Sequence, residues 1–225
     1  MLLLCLDSSA VASAALVTGA GEVLGSYASP DTRSHAEVLA PAVRDLLAGR
    51  GVTGADLDGV LVGTGPGPFT GLRAGIATAR ALAFAWDVPL HGLMSLEALA
   101  QDAAGPARAA GHEEFLVLTD ARRREVYWAR FAAAEDGPRR TGGPGVAAAE
   151  QLPELPAYGR GAGIYADRLA RPVPEFAAAQ PTASSLGLAA ARRTARGEAL
   201  SPDTTPLYLR ESDAKVPGPR KRAGA

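Results

Sequence analysis

Short apolar runs bounded by glycine and polar residues recur along the first hundred residues and predict β-strands. Five such runs can be read in order: LLLCLD, AVASAALV, GEVLGSYAS, LDGVLVGTG and VPLHGL. Three longer segments repeat apolar residues on one face at helical spacing: SHAEVLAPAVRDLLAGRG, residues 70–86 and SLEALAQDAA. Alternation of strands with helices predicts an α/β lobe.

Polar residues mark the expected starts of these helices. Ser34 and Glu37 are spaced as a Ser-x-x-Glu capping box. Thr70 and Ser95 stand where the next two helices need an N-cap. Pro41 lies inside the first predicted helix and lacks a backbone N–H, so we expect a kink there.

The second half of the chain opens with a pattern seen at the start. The run FLVLT precedes Asp120 and a second strand, as LLLCL precedes Asp7. This similarity suggests an internal duplication. Residues 104–113, rich in small and charged residues, predict the boundary between an N-terminal lobe at 1–103 and a smaller lobe at 104–210.

The segments that follow these two predicted strands differ in composition. Residues 137–163 are rich in Gly, Pro and Ala, which predicts fewer regular elements in the second lobe. A helix capped by Thr182 and a last strand, PLYLRE, follow. Residues 211–225 lack apolar anchors and carry basic residues, so we expect a disordered basic tail.

Composition excludes several classes of protein. The formal net charge is −1 over 225 residues, so no general attraction to nucleic acid is expected. The single Cys5 excludes an internal disulfide and stands in an apolar run, which predicts an inert core thiol. No apolar run is long enough to cross a bilayer, and no secretory signal begins the chain. We therefore expect a soluble cytoplasmic protein without membrane contact.

The glycine-rich stretch GTGPGPFTGLR before the second helix could hold a phosphate or could only turn the chain. It lacks the Lys and Ser/Thr of a Walker loop, and Pro66 and Pro68 have no N–H to offer an anion. Within the helix, glycine and alanine recur at every fourth position, at Gly71, Gly75, Ala79 and Ala83. This bare stripe predicts close packing, either on the chain's own sheet or on a helix of another chain.

Other candidate chemistry is sparse. The three histidines, His35, His91 and His112, complete no metal-ligand motif, so no metal site is predicted. Asp7 and Asp120 could form a carboxylate pair facing a cleft, as in two-lobed phosphotransferases, or each could cap a hairpin turn.

The arginines at 122–124 could contact RNA phosphates or form a solvated tip. Ser8 and Ser9 follow a strand without the Gly-x-Ser-x-Gly elbow of serine hydrolases.

The segments LDSSAVASAALV, HAEVLAPAVRDLL, GTGPGPFTGLRAGIATARALA, DARRREVYWA and PLYLR together resemble the bacterial TsaB family, also called YeaZ. The resemblance implies a two-lobed actin-like fold of the ASKHA, ribonuclease H-like class, with mixed sheets and flanking helices. It also implies a non-catalytic role in forming N6-threonylcarbamoyladenosine in tRNA, as the subunit that binds and activates the transferase TsaD.

The implied partners are a TsaD-like paralogue and a TsaE-like ATPase, with tRNA reached through the complex and a homodimer when the chain is alone. No intrinsic cofactor is implied, and ATP or ADP is expected only at the junction with partners. The resemblance further implies that the first lobe's two helices meet TsaD. The expected interface residues are Val38, Leu39, Val43, Leu46, Gly71, Leu72, Gly75, Ala79 and Leu82.

A vestigial nucleotide site is expected at Asp7, Ser8, Ser9 and Asp120. On this account we expect Gly75→Leu to leave the chain folded and to prevent assembly. Two alternatives remain at this stage. One is an active nucleotide phosphotransferase or ATPase that uses Asp7 and Asp120, and the other is a peptidase.

Overall fold

The computed structural model describes residues 1–30 and 35–210. The predicted capping box at Ser34 and the predicted tail at 211–225 lie outside the described residues. The strands are β1 Leu2–Asp7, β2 Ser13–Thr18, β3 Val23–Ala28, β4 Gly59–Gly63, β5 Leu90–Leu93, β6 Glu114–Asp120, β7 Glu125–Ala134, β8 Gly137–Ala148 and β9 Ala157–Tyr158. The α-helices are α1 His35–Ala48, α2 Phe69–Trp86, α3 Ser95–Ala109, α4 Arg160–Ile164 and α5 Ala183–Ala195.

Each sheet begins with an antiparallel hairpin and continues with a parallel strand. The first has the order β3-β2-β1-β4-β5, with β2 antiparallel and β4 parallel to β1. The second has the order β8-β7-β6-β9, with β7 antiparallel and β9 parallel to β6. The duplication suggested by Asp7 and Asp120 therefore has a counterpart in the topology of the two sheets.

Alternate residues of β1 serve two different cores, as the period of two in a strand requires. Leu4 and Leu6 lie in the core that α1 and α2 cover, whereas Leu3 and Cys5 lie in the core that α5 covers. Burial raises the pKa of the Cys5 thiol, which confirms the prediction of an inert core cysteine. Both faces of the first sheet are thus covered by helices of this chain.

Helices α3 and α5 pack on each other, and α3 contributes Ala98 to the core of α5 while most of its buried residues lie in a second core. The hydrophobic core of α3 includes Phe115 and Phe131 of the second sheet. Helix α5 packs on β1 and β2, and its first residue, Ala183, donates its N–H to the Ser13 hydroxyl of β2. The predicted second lobe at 104–210 thus contributes one helix to the first sheet, and the boundary at 103/104 remains a prediction.

Several helix starts differ from the predicted ones. Helix α2 begins at Phe69 with Pro68 as N-cap, and α3 begins at Ser95 with Met94 as N-cap, so neither Thr70 nor Ser95 is the capping residue. Thr182 does cap α5, because its hydroxyl accepts the N–H of Ser185 at 3.2 Å. Helix α1 continues through Pro41, where the predicted kink remains untested.

The second half differs from the sequence-based expectation in two places. Strand β8 spans 12 residues within the Gly-, Pro- and Ala-rich stretch from which we expected fewer regular elements in the second lobe. It lies at the edge of its sheet, where Pro138 and Pro144 need not donate to a further strand. The expected last strand at 206–211 is absent from its described part, 206–210, where Leu207 makes one backbone hydrogen bond to Thr64.

Candidate functional site

Asp7 ends β1 and is fully buried. Its Oδ1 accepts hydrogen bonds from the Ser9 N–H at 2.9 Å and the Ser9 hydroxyl at 2.7 Å. Its Oδ2 accepts the Ser95 hydroxyl at 2.6 Å. A carboxylate enclosed in this way does not face a cleft, so the expectation of an open carboxylate pair is wrong at Asp7.

Asp120 occupies the matching position at the end of β6 and makes the matching turn. Its Oδ1 accepts the N–H of Arg122 at 2.9 Å, two residues on, as Asp7 accepts that of Ser9. Burial and the Asp120 carboxylate raise the pKa of Tyr165, whose phenol donates to the same oxygen at 3.2 Å. The interpretation of both aspartates as caps of hairpin turns is confirmed.

The N-terminal part of the bare stripe of α2, Gly71 and Gly75, packs on the turn that follows β1. The Ser8 hydroxyl donates to the Gly71 carbonyl at 2.8 Å, and a side chain at Gly75 would overlap that hydroxyl. Ser8 is therefore a packing and hydrogen-bonding residue here. The loop before α2 is equally tight, because a Cβ at Gly67 would lie 2.5 Å from the Ser9 carbonyl oxygen.

This packing corrects the predicted partner interface. Six of its nine residues are buried within the chain: Leu39, Val43, Gly71, Leu72, Gly75 and Ala79. The other three are half-buried and remain predicted interface residues: Val38, Leu46 and Leu82. Ala79 and Ala83 lie in one core with residues of β1 and β4, which confirms the alternative of close packing on the chain's own sheet. Gly75→Leu would disturb the fold itself, because a side chain there would overlap Ser8.

The opposite face of α2 is exposed and apolar. It carries Phe84, which is 89% exposed, with Ala77, Ala81 and Ala85 on the same helical face. We call these four residues the outer stripe. Sequence reasoning overlooked the outer stripe, although a phenylalanine spaced three and seven residues from two alanines was a readable signal of a second apolar face.

A groove beside the outer stripe separates α1 from α2. Its walls come from the two helices and from the chain that follows α1: Ala40, Val43, Arg44, Leu47, Ala48, Val52, Gly54, Leu82 and Trp86. The groove has a volume of about 330 Å³. Stripe and groove together form a partly apolar surface on the outside of the first lobe.

A second cavity, of about 390 Å³, lies between the two lobes. It brings together parts of the loop before α2 and the turn after β6, with Ser9 and Asp120 both in its lining. Asp120 and Ser9 of the predicted vestigial site thus share a cleft, while Asp7 stays buried beneath it. Among residues 1–30 and 35–210, no three His, Cys, Asp or Glu residues stand close enough to hold a metal ion.

The two similar sheets, with helices around them and a cleft between lobes, define an actin-like α/β protein of the ASKHA class. Residues 22–194 match the family model described as "TsaD: tRNA N6-adenosine threonylcarbamoyltransferase". A solved structure, YeaZ from Pseudomonas aeruginosa, is similar with a TM-score of 0.76 and 33% identity, over 92% of this chain and 99% of that one. The chain therefore belongs to the TsaD family and, within it, to the YeaZ or TsaB group.

Sequence relatives agree with this placement. An uncharacterized protein of Mycobacterium tuberculosis is 45% identical over 194 residues, or 86% of this chain and 83% of the relative. The tRNA threonylcarbamoyladenosine biosynthesis protein TsaB of Escherichia coli is 38% identical over 105 residues, or 47% of this chain and 44% of that protein. No helix in the described part of the chain is long and apolar enough to span a membrane.

Proposed function

We propose that this chain is the non-catalytic subunit of the assembly that forms N6-threonylcarbamoyladenosine in tRNA, and that it binds and activates a TsaD-like threonylcarbamoyltransferase. The support from relatives is that the Escherichia coli protein named above carries the TsaB name. Such a role places the chain in the cytoplasm.

The observation that carries the proposal is the outer stripe of α2. Phe84 is 89% exposed, and an exposed aromatic ring lowers solubility. Aromatic residues are common at protein interfaces, where they enter pockets of the partner. The small side chains of Ala77, Ala81 and Ala85 let another helix approach closely on either side of it. The docking surface is thus the outward face of α1 and α2, including half-buried Leu82 at its edge.

The state of the aspartates supports an accessory role over the phosphotransferase alternative. The Asp7 carboxylate accepts hydrogen bonds from Ser9 and Ser95, and the Asp120 carboxylate accepts hydrogen bonds from Arg122 and Tyr165. Asp7 is fully buried and cannot meet a substrate, and Asp120, although it lines the cleft, already has these two partners. The proposal also includes a TsaE-like ATPase joining the assembly, ATP or ADP at the junction with partners, and a homodimer through the same surface when the transferase is absent.

The test is the affinity of the full chain for the TsaD-like protein of the same organism, measured by titration calorimetry. Phe84→Asp should weaken binding at least thirtyfold, because it buries a charge where an apolar side chain docks. The matched control is Ile164→Asp, since Ile164 is also an exposed apolar residue, 45% exposed, but lies on α4. Equal loss for both variants, or none for Phe84→Asp, would contradict the proposed surface.

A further inference from the structure

The cleft between the lobes is strongly basic although the whole chain is not. Its charged lining residues are Asp120, Arg122, Arg123, Arg160 and Arg210. Four arginines against one aspartate give a local charge of +3, in a chain whose formal net charge is −1. Even when Glu125, the ion-pair partner of Arg210 at 2.8 Å, is counted, the cleft keeps a charge of +2.

Two of these guanidinium groups remain available to a ligand. Arg160 is exposed and forms no ion pair or hydrogen bond through its side chain among residues 1–30 and 35–210. The Arg122 side chain is 81% exposed and pairs with Asp120 only at 3.4 Å. A surface pair of this kind is worth little, and a guanidinium has donors to spare.

The turn that carries these arginines is held in a conformation that favours glycine. Arg122, Arg123 and Arg124 have φ values of 63°, 53° and 64°, all in the left-handed region. Each such non-glycine residue is costly, and strain of this kind collects at functional sites. The chain keeps arginine there, at the mouth of the cleft.

The wall of the cleft has an unused polar group. Thr119 and Tyr127 are cross-strand neighbours of β6 and β7, and both line the cleft. Thr119 is only 8% exposed, and its hydroxyl lacks a hydrogen-bond partner in the described part of the chain. Buried hydroxyls are rarely left unpaired, so this one is suited to a ligand that enters beside it.

The arrangement suits a phosphate ester held by arginine better than a metal-bound nucleotide. Asp7 is buried out of reach, and Pro66 and Pro68 remove backbone N–H groups from the loop that would face a nucleotide's phosphates. At the edge of the cleft, the ring of Phe69 lies 4.6 Å from that of Tyr208, and Tyr208 is 37% exposed. Phe69 lines the cleft and is half-buried, and aromatic rings near arginines can hold unstacked bases by stacking.

We propose that the cleft between the lobes binds phosphodiester groups of RNA, with Arg122 and Arg160 as the principal ligands. This proposal rests on the proposed function, because the RNA concerned is the tRNA that the assembly modifies. The chain would then hold part of the tRNA on one surface while its outer stripe holds the transferase on another.

The experiment measures binding of a fluorescent, unmodified tRNA to the full-length chain by anisotropy over a series of salt concentrations. The double variant Arg122→Gln/Arg160→Gln should bind at least tenfold more weakly at about 0.1 M salt, with a salt slope lower by about 1 to 2. The control is Arg50→Gln/Arg171→Gln, which removes the same charge from two exposed arginines outside the cleft. It should stay within about twofold of the parent chain.

Unlabelled ATP and inorganic phosphate, added as competitors, distinguish RNA from smaller phosphate ligands. Failure of the parent chain to bind tRNA, equal binding by the cleft variant, or ATP binding tighter than tRNA would each overturn the proposal. The affinity of the cleft variant for the TsaD-like protein, which should not change, is measured in parallel. Because tRNA binding is measured on the chain alone, a parent chain that fails to bind the transferase would contradict only the proposed function.

Discussion

At the scale of single residues, Ser8 and Gly75 determine how the first hairpin meets α2. The Ser8 hydroxyl occupies the space that a side chain at Gly75 would need, and it donates to the Gly71 carbonyl. A glycine inside a helix costs up to about 1 kcal/mol relative to alanine, so close approach to Ser8 is the compensating reason for keeping it. The contact also explains why neither residue is available to a partner.

Gly75→Ala should therefore destabilise the chain although alanine is the better helix former. We expect a loss of about 1–3 kcal/mol in the free energy of unfolding, from overpacking against Ser8, measured by urea denaturation. The matched control is Gly105→Ala in α3, where a Cβ would meet nothing within 4 Å. That variant should gain up to about 1 kcal/mol. A gain for both variants would contradict the packing described at Ser8.

At the scale of elements, sequence patterns predicted the strands and helices that show a clear apolar period. They did not predict features that depend on which elements are neighbours in the fold. The strands β1, β4 and β6 and helix α5 follow from apolar runs and from the cap at Thr182. Which face of α2 is buried cannot be predicted in this way, because alanines occur all round the helix and its pattern fits two opposite buried faces. Strand β8 was missed because its prolines are tolerated only at a sheet edge, and edge position is a property of the tertiary fold.

The segment after α5 is a second case in which tertiary contacts decide the structure. Its sequence predicts a strand, but its residues bind to α2 through side chains. Arg80 of α2 donates to the side chain of buried Thr204 at 3.0 Å and to its carbonyl at 3.2 Å. Arg73 donates to the Tyr208 hydroxyl at 2.9 Å. Hydrogen bonds from side chains of α2, and not pairing with a strand, thus hold the C-terminal end of the described chain against α2.

Arg80→Ala should loosen this segment without unfolding the lobe. The amide of Leu207, which donates to the Thr64 carbonyl at 2.8 Å, is expected to exchange with deuterium about tenfold faster. Arg44→Ala serves as the control, because Arg44 is an exposed arginine of α1 that pairs with its neighbour Asp45. Unchanged exchange at Leu207 in the Arg80 variant would show that the segment is held by other contacts.

At the scale of the whole molecule, the chain has an actin-like fold with two similar sheets, and its hairpin aspartates have structural roles. The two hairpin aspartates cap turns, and helices of this chain cover both faces of the first sheet. Two surfaces of the described chain are candidates for partners: the outer stripe of α2, with Phe84, and the basic cleft between the lobes. An accessory subunit that joins a transferase to its tRNA accounts for both surfaces.

Reconstituted tRNA modification tests this account most directly. The TsaD-like protein, the TsaE-like ATPase and a synthase that makes threonylcarbamoyl-AMP, all of the same organism, are incubated with tRNA, threonine, bicarbonate and ATP. N6-threonylcarbamoyladenosine is then quantified by mass spectrometry. We expect the product only when this chain is added, with Ile164→Asp as effective as the parent chain and Phe84→Asp reducing the initial rate at least tenfold. Equal product without the chain, or full activity with Phe84→Asp, would contradict the account.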